Sequence, residues 1–384
     1  MTAQTKTTWR EVKLGEVLKI RRGASPRPIH EYIRETGMPW LKIADVTGSG
    51  SRFVDSTKEF IKGEGVSKSV VVKTGDLILS NSATPGIPRF MRITACVHDG
   101  WLILEPIGDS INKYFLYYRL IIDRKKLISN VTGAIFDNLK TDVLRDHEIL
   151  LPPINDQKRI ADILSAFDDK IELNNKISRT LEEMAQAIFK EWFVKFKFPG
   201  YEKVKMVDSE LSKIPEGWEV KNLGEIIVLE YGEALTAINR NSGNIPVYGS
   251  SGLVGHHDKK LVSGPGIIIG RAGIPGSIYW SQEDFYCVDS TFYVESSISK
   301  YFLFYLLKRQ NLKSLISGSA VPGINRNMIY LNKIVSPPLD IINDFEKIVS
   351  PIFWEIYKNE LENQKLAALR DLLLPKLMSG EIGV

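Results

Sequence analysis

Two stretches of this chain match each other without a gap, and nothing else in the sequence restricts its fold as strongly. LPPINDQKRIADILSAFDDKIELNNKISRTLEEMAQAIFKEWF, starting at Leu151, falls on SPPLDIINDFEKIVSPIFWEIYKNELENQKLAALRDLLLPKLM, starting at Ser336, at a constant offset of 185 residues. Pro152-Pro153 lands on Pro337-Pro338, Ile171 on Ile356, Asn174 on Asn359 and Leu181 on Leu366. Each copy has a Pro-Pro start and then runs several helical turns without glycine, the pattern of a long helix, with Pro351 expected to bend the second. A repeat of this length is too long for a solenoid. It describes one globular domain plus one long helix, made twice.

A heptad step gives each helix two columns. The first helix has Ile160, Phe167, Asn174, Leu181 and Ile188 in one column. Leu164, Ile171, Ser178, Ala185 and Trp192 form the other. The second has Phe345, Ile352, Asn359, Leu366 and Leu373, beside Val349, Ile356, Asn363, Arg370 and Leu377. The seam is apolar at its ends and polar in the middle, and Arg370 and Pro375 are expected to weaken its far end. If a pseudo-twofold axis relates the halves, the helices run antiparallel and Asn174 meets Asn359 where they cross. Phe167 then pairs with Leu366, Leu181 with Ile352, Ile188 with Phe345 and Ile160 with Leu373. Asp168-Asp169 and Glu182-Glu183 are expected on solvated faces.

The domains repeat as well. WREVKLGEVLKIRRG from Trp9 answers to WEVKNLGEIIVLEYG from Trp218, and GDLILSNSATPGIPRFMRI to PGIIIGRAGIPGSIYW. PWLKIADV (39–46) alternates as a strand does and answers to IPVYGSSG from Ile245. KYFLYYRL (113–120) and KYFLFYLL (300–307) predict an amphipathic helix in each half. TGAIFDNLKTDVLRDHEILLPP and SGSAVPGINRNMIYLNKIVSPP are a further loop and closing strand in each. The offset drifts from 209 through 190 to 185, so insertions fall in connecting loops while the cores stay in step. Loops that diverge on matched cores suit two domains reading different targets. Residues 1–8 are polar and expected to fray.

Composition narrows the class. The 384 residues allow two domains with a core each, and a net charge of +4 is only mildly basic. No apolar run reaches the ~20 residues of a membrane span, and the start MTAQTKTT is no signal peptide. Two cysteines in matching contexts, Cys96 and Cys287, are expected on strands of separate domains, unpaired, as in a reducing cytoplasm. The chain has no GxxxxGK[ST] phosphate loop, no Asn-Pro-Pro-aromatic tetrapeptide and no glycine-rich cofactor fingerprint. His256-His257 is the one tempting metal pair, but neighbours on a strand point to opposite faces and no further ligand joins them. No metal site and no catalytic residue is expected.

Two variable domains, each followed by a helix that opens on a Pro-Pro stop and closes on IFKEWFVKF or LRDLLLPKLMSGEI, resemble the specificity subunit of type I restriction-modification enzymes. The likeness spans essentially the whole chain, and the helices carry most of it; GDLILS and IPEGW add less. The second helix departs from it in lacking the glutamine that the first has at Gln157. The resemblance implies an α+β fold: two related α/β target-recognition domains (1–152 and 198–338) joined by two long antiparallel, coiled-coil-like helices (153–197 and 339–384). It implies a non-catalytic, cytoplasmic DNA-binding subunit that directs two methyltransferase subunits, and through them restriction subunits with translocase and nuclease activity, to a two-part duplex site. S-adenosylmethionine would belong to the partner methyltransferase, and ATP and Mg to the partner restriction subunit. A coiled-coil scaffold with protein- or glycan-binding domains is the alternative from another class, and a recognition module fused to its own catalytic activity is a third.

DNA contacts must come from the variable domains. Arg21, Arg22, Arg27, Lys42 and Arg89 in the first, and Arg240, Arg271 and Arg326 in the second, lie in or beside loops and suit phosphates or guanine edges. Ser25, Ser80, Asn81, Ser82 and Thr84, then Asn241, Tyr248, Ser250, Ser251, Asn325 and Asn327, are the candidate base readers.

Overall fold

The computed structural model describes residues 9–48, 50–129, 138–316 and 322–384. The expectation for residues 1–8, and parts of the loops before 138 and 322, lie outside them. Four helices organise the chain: α1 (Lys113–Ser129), α2 (Ile154–Phe189), α3 (Lys300–Arg309) and α4 (Leu339–Met378). The chain folds into two compact units: 1–173 with 362–384, and 174–361. Each unit therefore takes one stretch of α2 and one of α4.

The first unit holds two five-stranded sheets. One runs Leu18–Arg22, Trp101–Pro106, Leu77–Ser80, Pro88–Met91, Phe53–Val54; the other runs Ile33–Arg34, Glu59–Ile61, Met38–Leu41, Ala95–Val97, Val70–Val72. Arg10–Lys13 pairs antiparallel with Glu148–Leu151, which ties the start of the domain to the start of α2. The expected strand 39–46 stops at Leu41, because the Lys42 N–H is taken by the Asp45 carboxylate at 2.9 Å and Ile43–Val46 turns helical.

The second unit repeats this in smaller form. Val228–Tyr231, Thr291–Glu295, Gly266–Gly270 and Ile278–Ser281 make a four-stranded sheet, beside a three-stranded one of Gly252–His257, Ile245–Gly249 and Tyr286–Cys287. Glu219–Asn222 closes on Lys333–Ser336 as its counterpart does. Cys96 and Cys287 are both buried, free and on strands.

Both long helices enter each core. In the first unit Ile160, Ala161 and Leu164 of α2 and Leu374, Leu377 and Met378 of α4 are buried in one cluster with α1. In the second, Ala185 and Phe189 of α2, with Trp192 just beyond it, join Ile342, Phe345, Val349 and Phe353 of α4 and the aromatic face of α3. The start of one helix thus packs with the end of the other, as antiparallel packing requires. None of the heptad-column positions is exposed. Phe345 is ringed by Phe189, Trp192 and Phe193, one to five residues beyond the expected Ile188. At mid-length Asn174 and Asn359 are 0% and 7% exposed, and the Asn359 amide donates to the Ser178 hydroxyl at 3.2 Å, one turn along from Asn174.

α4 is continuous through Pro351 and Pro375, and two expectations for the helices need correcting. Both prolines are exposed, so the carbonyl each leaves unpaired one turn back can be hydrated. Asp168 is not on a solvated face: it is 8% exposed and accepts from the Tyr118 hydroxyl at 2.5 Å and from Arg370 at 2.5 Å. Arg370 consequently anchors the far end of the seam. Asp169, its neighbour, is exposed but pairs with buried Arg52, which also holds Glu172 at 2.9 Å. Gln157 is buried at the head of α2, accepting from the Asn112 N–H at 2.8 Å and donating to the carbonyls of Pro152 and Ser110. Its counterpart Ile342 fills the same place with hydrocarbon inside the second core.

Candidate nucleic-acid interface

The two units build the same loop frame hydrogen bond by hydrogen bond. After the first buried strand, Gly86 N–H reaches the Ser80 carbonyl at 2.8 Å, and Gly276 N–H reaches that of Gly270 at 2.8 Å. Asn81 N–H binds the Gly100 carbonyl and Arg271 N–H that of Ser290, at 2.9 and 2.8 Å. The Asn81 carbonyl then takes the Leu139 N–H, and the Arg271 carbonyl the Ile324 N–H. Left-handed backbone recurs at Gly86 and Gly276, with φ of 77° and 78°. It recurs at Ala83 (57°) and Gly273 (84°) too, so one copy holds alanine where the other has the residue suited to that conformation.

In the first unit this loop borders an open cleft of about 800 Å³ whose walls include Ser25, Arg27, Lys42 and Ser82, with Trp40 and His98. Four sequence candidates therefore meet in one place. Asp99 organises the cluster: Ser25 donates to its carboxylate at 2.8 Å and Arg27 lies 3.4 Å from it. Burial pushes the Asp99 carboxyl up, but the Ser25 hydroxyl, its own N–H and the Arg22 guanidinium outweigh that and hold it below the ordinary carboxylate value. Burial holds the His98 imidazole below its ordinary value. Its Nδ1 accepts from the Gly100 N–H at 2.8 Å, so Nε2 is the ring's donor. Lys42 pairs with Glu59 beside the cleft.

Other candidates of this unit serve the frame. Ser80 is buried, donating to the Thr84 carbonyl at 2.6 Å and accepting from the Ile87 N–H at 2.9 Å. Asn81 is buried, its amide on the Asp99 carbonyl at 3.2 Å. Arg89 is half-buried and donates to the carbonyls of Pro88 and Val46; burial lowers its pKa. Arg21 is engaged by Glu105 on the adjacent strand. These side chains hold the loop, although the Asn81 Oδ1 is buried without a hydrogen-bond partner among the described residues. Thr84, half-buried, lends that loop its carbonyl.

In the second unit Arg271 and Arg326 converge on exposed Tyr231, their guanidinium carbons 5.5 and 5.0 Å from its ring centre. Both are within cation–π range. Asn325 caps the turn that begins at Arg326, accepting from the Asn327 N–H at 2.9 Å, and the side chains of Asn325 and Asn327 lie on exposed residues. The Ser250 carbonyl accepts from Ser277 and Tyr279 at 2.7 and 3.1 Å, next to exposed Ser251. Three candidates are otherwise occupied. Arg240 donates to the Val254 carbonyl at 2.5 Å, Asn241 to Asp258 at 3.2 Å, and Tyr248 is half-buried with its hydroxyl 3.4 Å from the Trp280 carbonyl. His256 is exposed and His257 buried, on opposite faces, and no group of metal-ligating side chains occurs among the described residues.

Sequence reasoning missed Tyr231, His98 and the turn at Asp99 and Asp289. The last was findable: HDGW (98–101) lies over VDST (288–291), with the aspartate as the shared polar residue. Among the described residues, no helix is long and apolar enough to cross a membrane.

Comparison with known proteins places this frame. The family model for the type I restriction modification DNA specificity domain matches residues 6–183 and 215–371, one stretch for each half of the repeat. The chain is 26% identical over 406 residues to the type I restriction enzyme MjaIX specificity subunit of Methanocaldococcus jannaschii, covering 98% of this chain and 94% of that protein. It is 24% identical over 469 residues to the HindI specificity subunit of Haemophilus influenzae, covering 97% and 99%. The crystal structure of a type I restriction-modification S subunit from M. genitalium shares its fold, with a TM-score of 0.66 at 17% identity over 98% of both chains. The chain belongs to the type I restriction-modification DNA specificity family.

Proposed function

We propose that this chain is the sequence-reading subunit of a type I restriction-modification complex, each unit reading one half of a bipartite duplex site. One observation carries the reading: the two units share a loop frame down to its backbone hydrogen bonds, yet present different side chains on it. A common frame with changed side chains is what two readers of different sequences need. On this reading the chain transfers no methyl group and cuts no DNA. Two methyltransferase subunits, holding S-adenosylmethionine, dock along α2 and α4, and restriction subunits holding ATP and Mg join through them in the cytoplasm. The helices serve as a ruler: at 1.5 Å per residue, α2 and α4 are roughly 54 and 60 Å long.

The test is to map methylated sites in cells carrying this subunit with its methyltransferase, then replace residues 1–150 by the equivalent domain of a relative. One half of the methylated motif should change and the other stay. A change in both halves, or in neither, would sink the assignment. Affinity for duplex DNA should fall steeply with salt, which a protein- or glycan-binding scaffold would not show.

A further inference from the structure

The two units put a guanidinium on the same backbone carbonyl from different chain positions. Arg22 Nε donates to the Asp99 carbonyl at 2.8 Å, and Arg271 Nε to the Asp289 carbonyl at 3.3 Å. The carbonyls are equivalent: Trp101 N–H returns to the His98 carbonyl and Thr291 N–H to that of Val288, so each belongs to the same tight turn. The arginines are not. In the repeat Arg22 aligns with Tyr231, and Arg271 aligns with Asn81. Both positions are pinned to the turn in both units. Gly23 and Gly232, the next residues, bind the Trp101 and Thr291 carbonyls at 2.9 and 3.1 Å. Asn81 and Arg271 bind those of Gly100 and Ser290. One unit therefore fills its two positions with Arg and Asn, the other with Tyr and Arg, and the cation arrives at the same spot.

A carbonyl orients a guanidinium through Nε and leaves its charge uncancelled. In the first unit the turn also gathers a second arginine, Arg27, 3.4 Å from Asp99; in the second, Arg326 shares the Tyr231 ring with Arg271. The Asp99 carboxylate is 3.9 Å from Arg22, so among the described residues of the first unit one acid answers two bases and a positive charge remains.

Resting on the DNA-reading proposal, we propose that Arg22 and Arg271 are equivalent anchors for a DNA backbone phosphate, one in each unit, and do not read bases. Two readers of different half-sites have only the sugar-phosphate backbone in common. A cation kept in place while its chain position changed must serve that common part. The bases are left to the side chains in which the units differ.

The experiment uses the subunit assembled with its methyltransferase, a duplex carrying the mapped methylation motif and a scrambled duplex, with binding titrated against salt. Arg22→Gln and Arg271→Gln should each weaken both duplexes by the same factor, roughly 5- to 10-fold near 0.1 M salt, and make the salt slope shallower by about one. The methylated motif should stay unchanged. Arg22→Lys and Arg271→Lys, which keep the charge, should keep the slope and control for assembly. An unchanged slope in the Gln variants, a loss confined to the motif duplex, or a motif relaxed at one base would overturn the inference. An unsubstituted complex with no salt-dependent affinity for either duplex would instead remove the DNA-reading proposal itself.

Discussion

Asp168 and Arg370, separated by 202 residues of sequence, share a hydrogen bond of 2.5 Å in the first unit, one on each long helix. The carboxylate is nearly buried and its second oxygen takes the Tyr118 hydroxyl. Arg370→Ala should strand that charge and lower stability by about 2–4 kcal/mol, less than a fully buried pair because Arg370 is partly exposed. Replacing Asp168 and Arg370 together by Leu and Met should cost far less. Urea unfolding of the three proteins checks this; equal losses for the single and double variants would contradict it.

The asparagines at mid-length form a second case. A buried polar side chain in a helical seam lowers stability but specifies register. Asn174→Leu combined with Asn359→Leu is expected to leave stability equal or raised while loosening the pairing of α2 with α4. Hydrogen exchange along both helices reads the loosening, and calorimetry reads the stability. A marked drop in melting temperature would argue against the two residues meeting at the crossing.

Ala83 and Gly273 make a reciprocal pair of predictions. Alanine at φ of 57° carries left-handed strain of about 1–2 kcal/mol, partly offset by the extra unfolded-state freedom a glycine would bring. Ala83→Gly should therefore stabilise by up to about 1 kcal/mol. Gly273→Ala should destabilise by about 1 kcal/mol or more, since its Cβ would lie 2.8 Å from the Ser250 hydroxyl. Thermal melts of both variants decide the matter.

Acid sensitivity should concentrate at Asp123. Burial alone would raise its pKa, but His147 at 2.8 Å and the two-pronged bond from Arg119 at 2.6 and 2.7 Å hold it below the ordinary 3.8. A carboxylate whose folded pKa is depressed adds stability above its unfolded value, and loses it as pH falls through the folded one. Asp123→Asn should thus melt well below the parent at pH ~7, with the gap shrinking toward pH ~3. A gap independent of pH would show that the charge is irrelevant.

The antiparallel sense of the long helices came from the family resemblance and the assumed twofold axis. The repeat and the helices themselves were legible because hydrophobic periodicity over several turns leaves few alternatives. That is why the columns holding Asn174 and Asn359 could be written from spacing alone. Asp168 misled because one residue of an acidic pair looks like any other on a helix; only the fold brings Tyr118 and Arg370 to it. Ser80 and Asn81 looked like base readers for a related reason. Short polar side chains in a Gly/Pro loop serve the backbone and a ligand with equal facility, and sequence does not say which. Arg22 and Arg271 were named singly, but their equivalence was invisible, since they do not align.

The first unit is assembled from both ends of the chain, its core closing over Leu374, Leu377 and Met378, whereas the second is one uninterrupted stretch from 174 to 361. A ribosome delivers these in a fixed order. The unit that begins first is therefore completed last: it waits with a gap in its core while the whole of the second unit is made. A nascent chain halted after Leu361 would carry a complete second reader beside an unfinished first one.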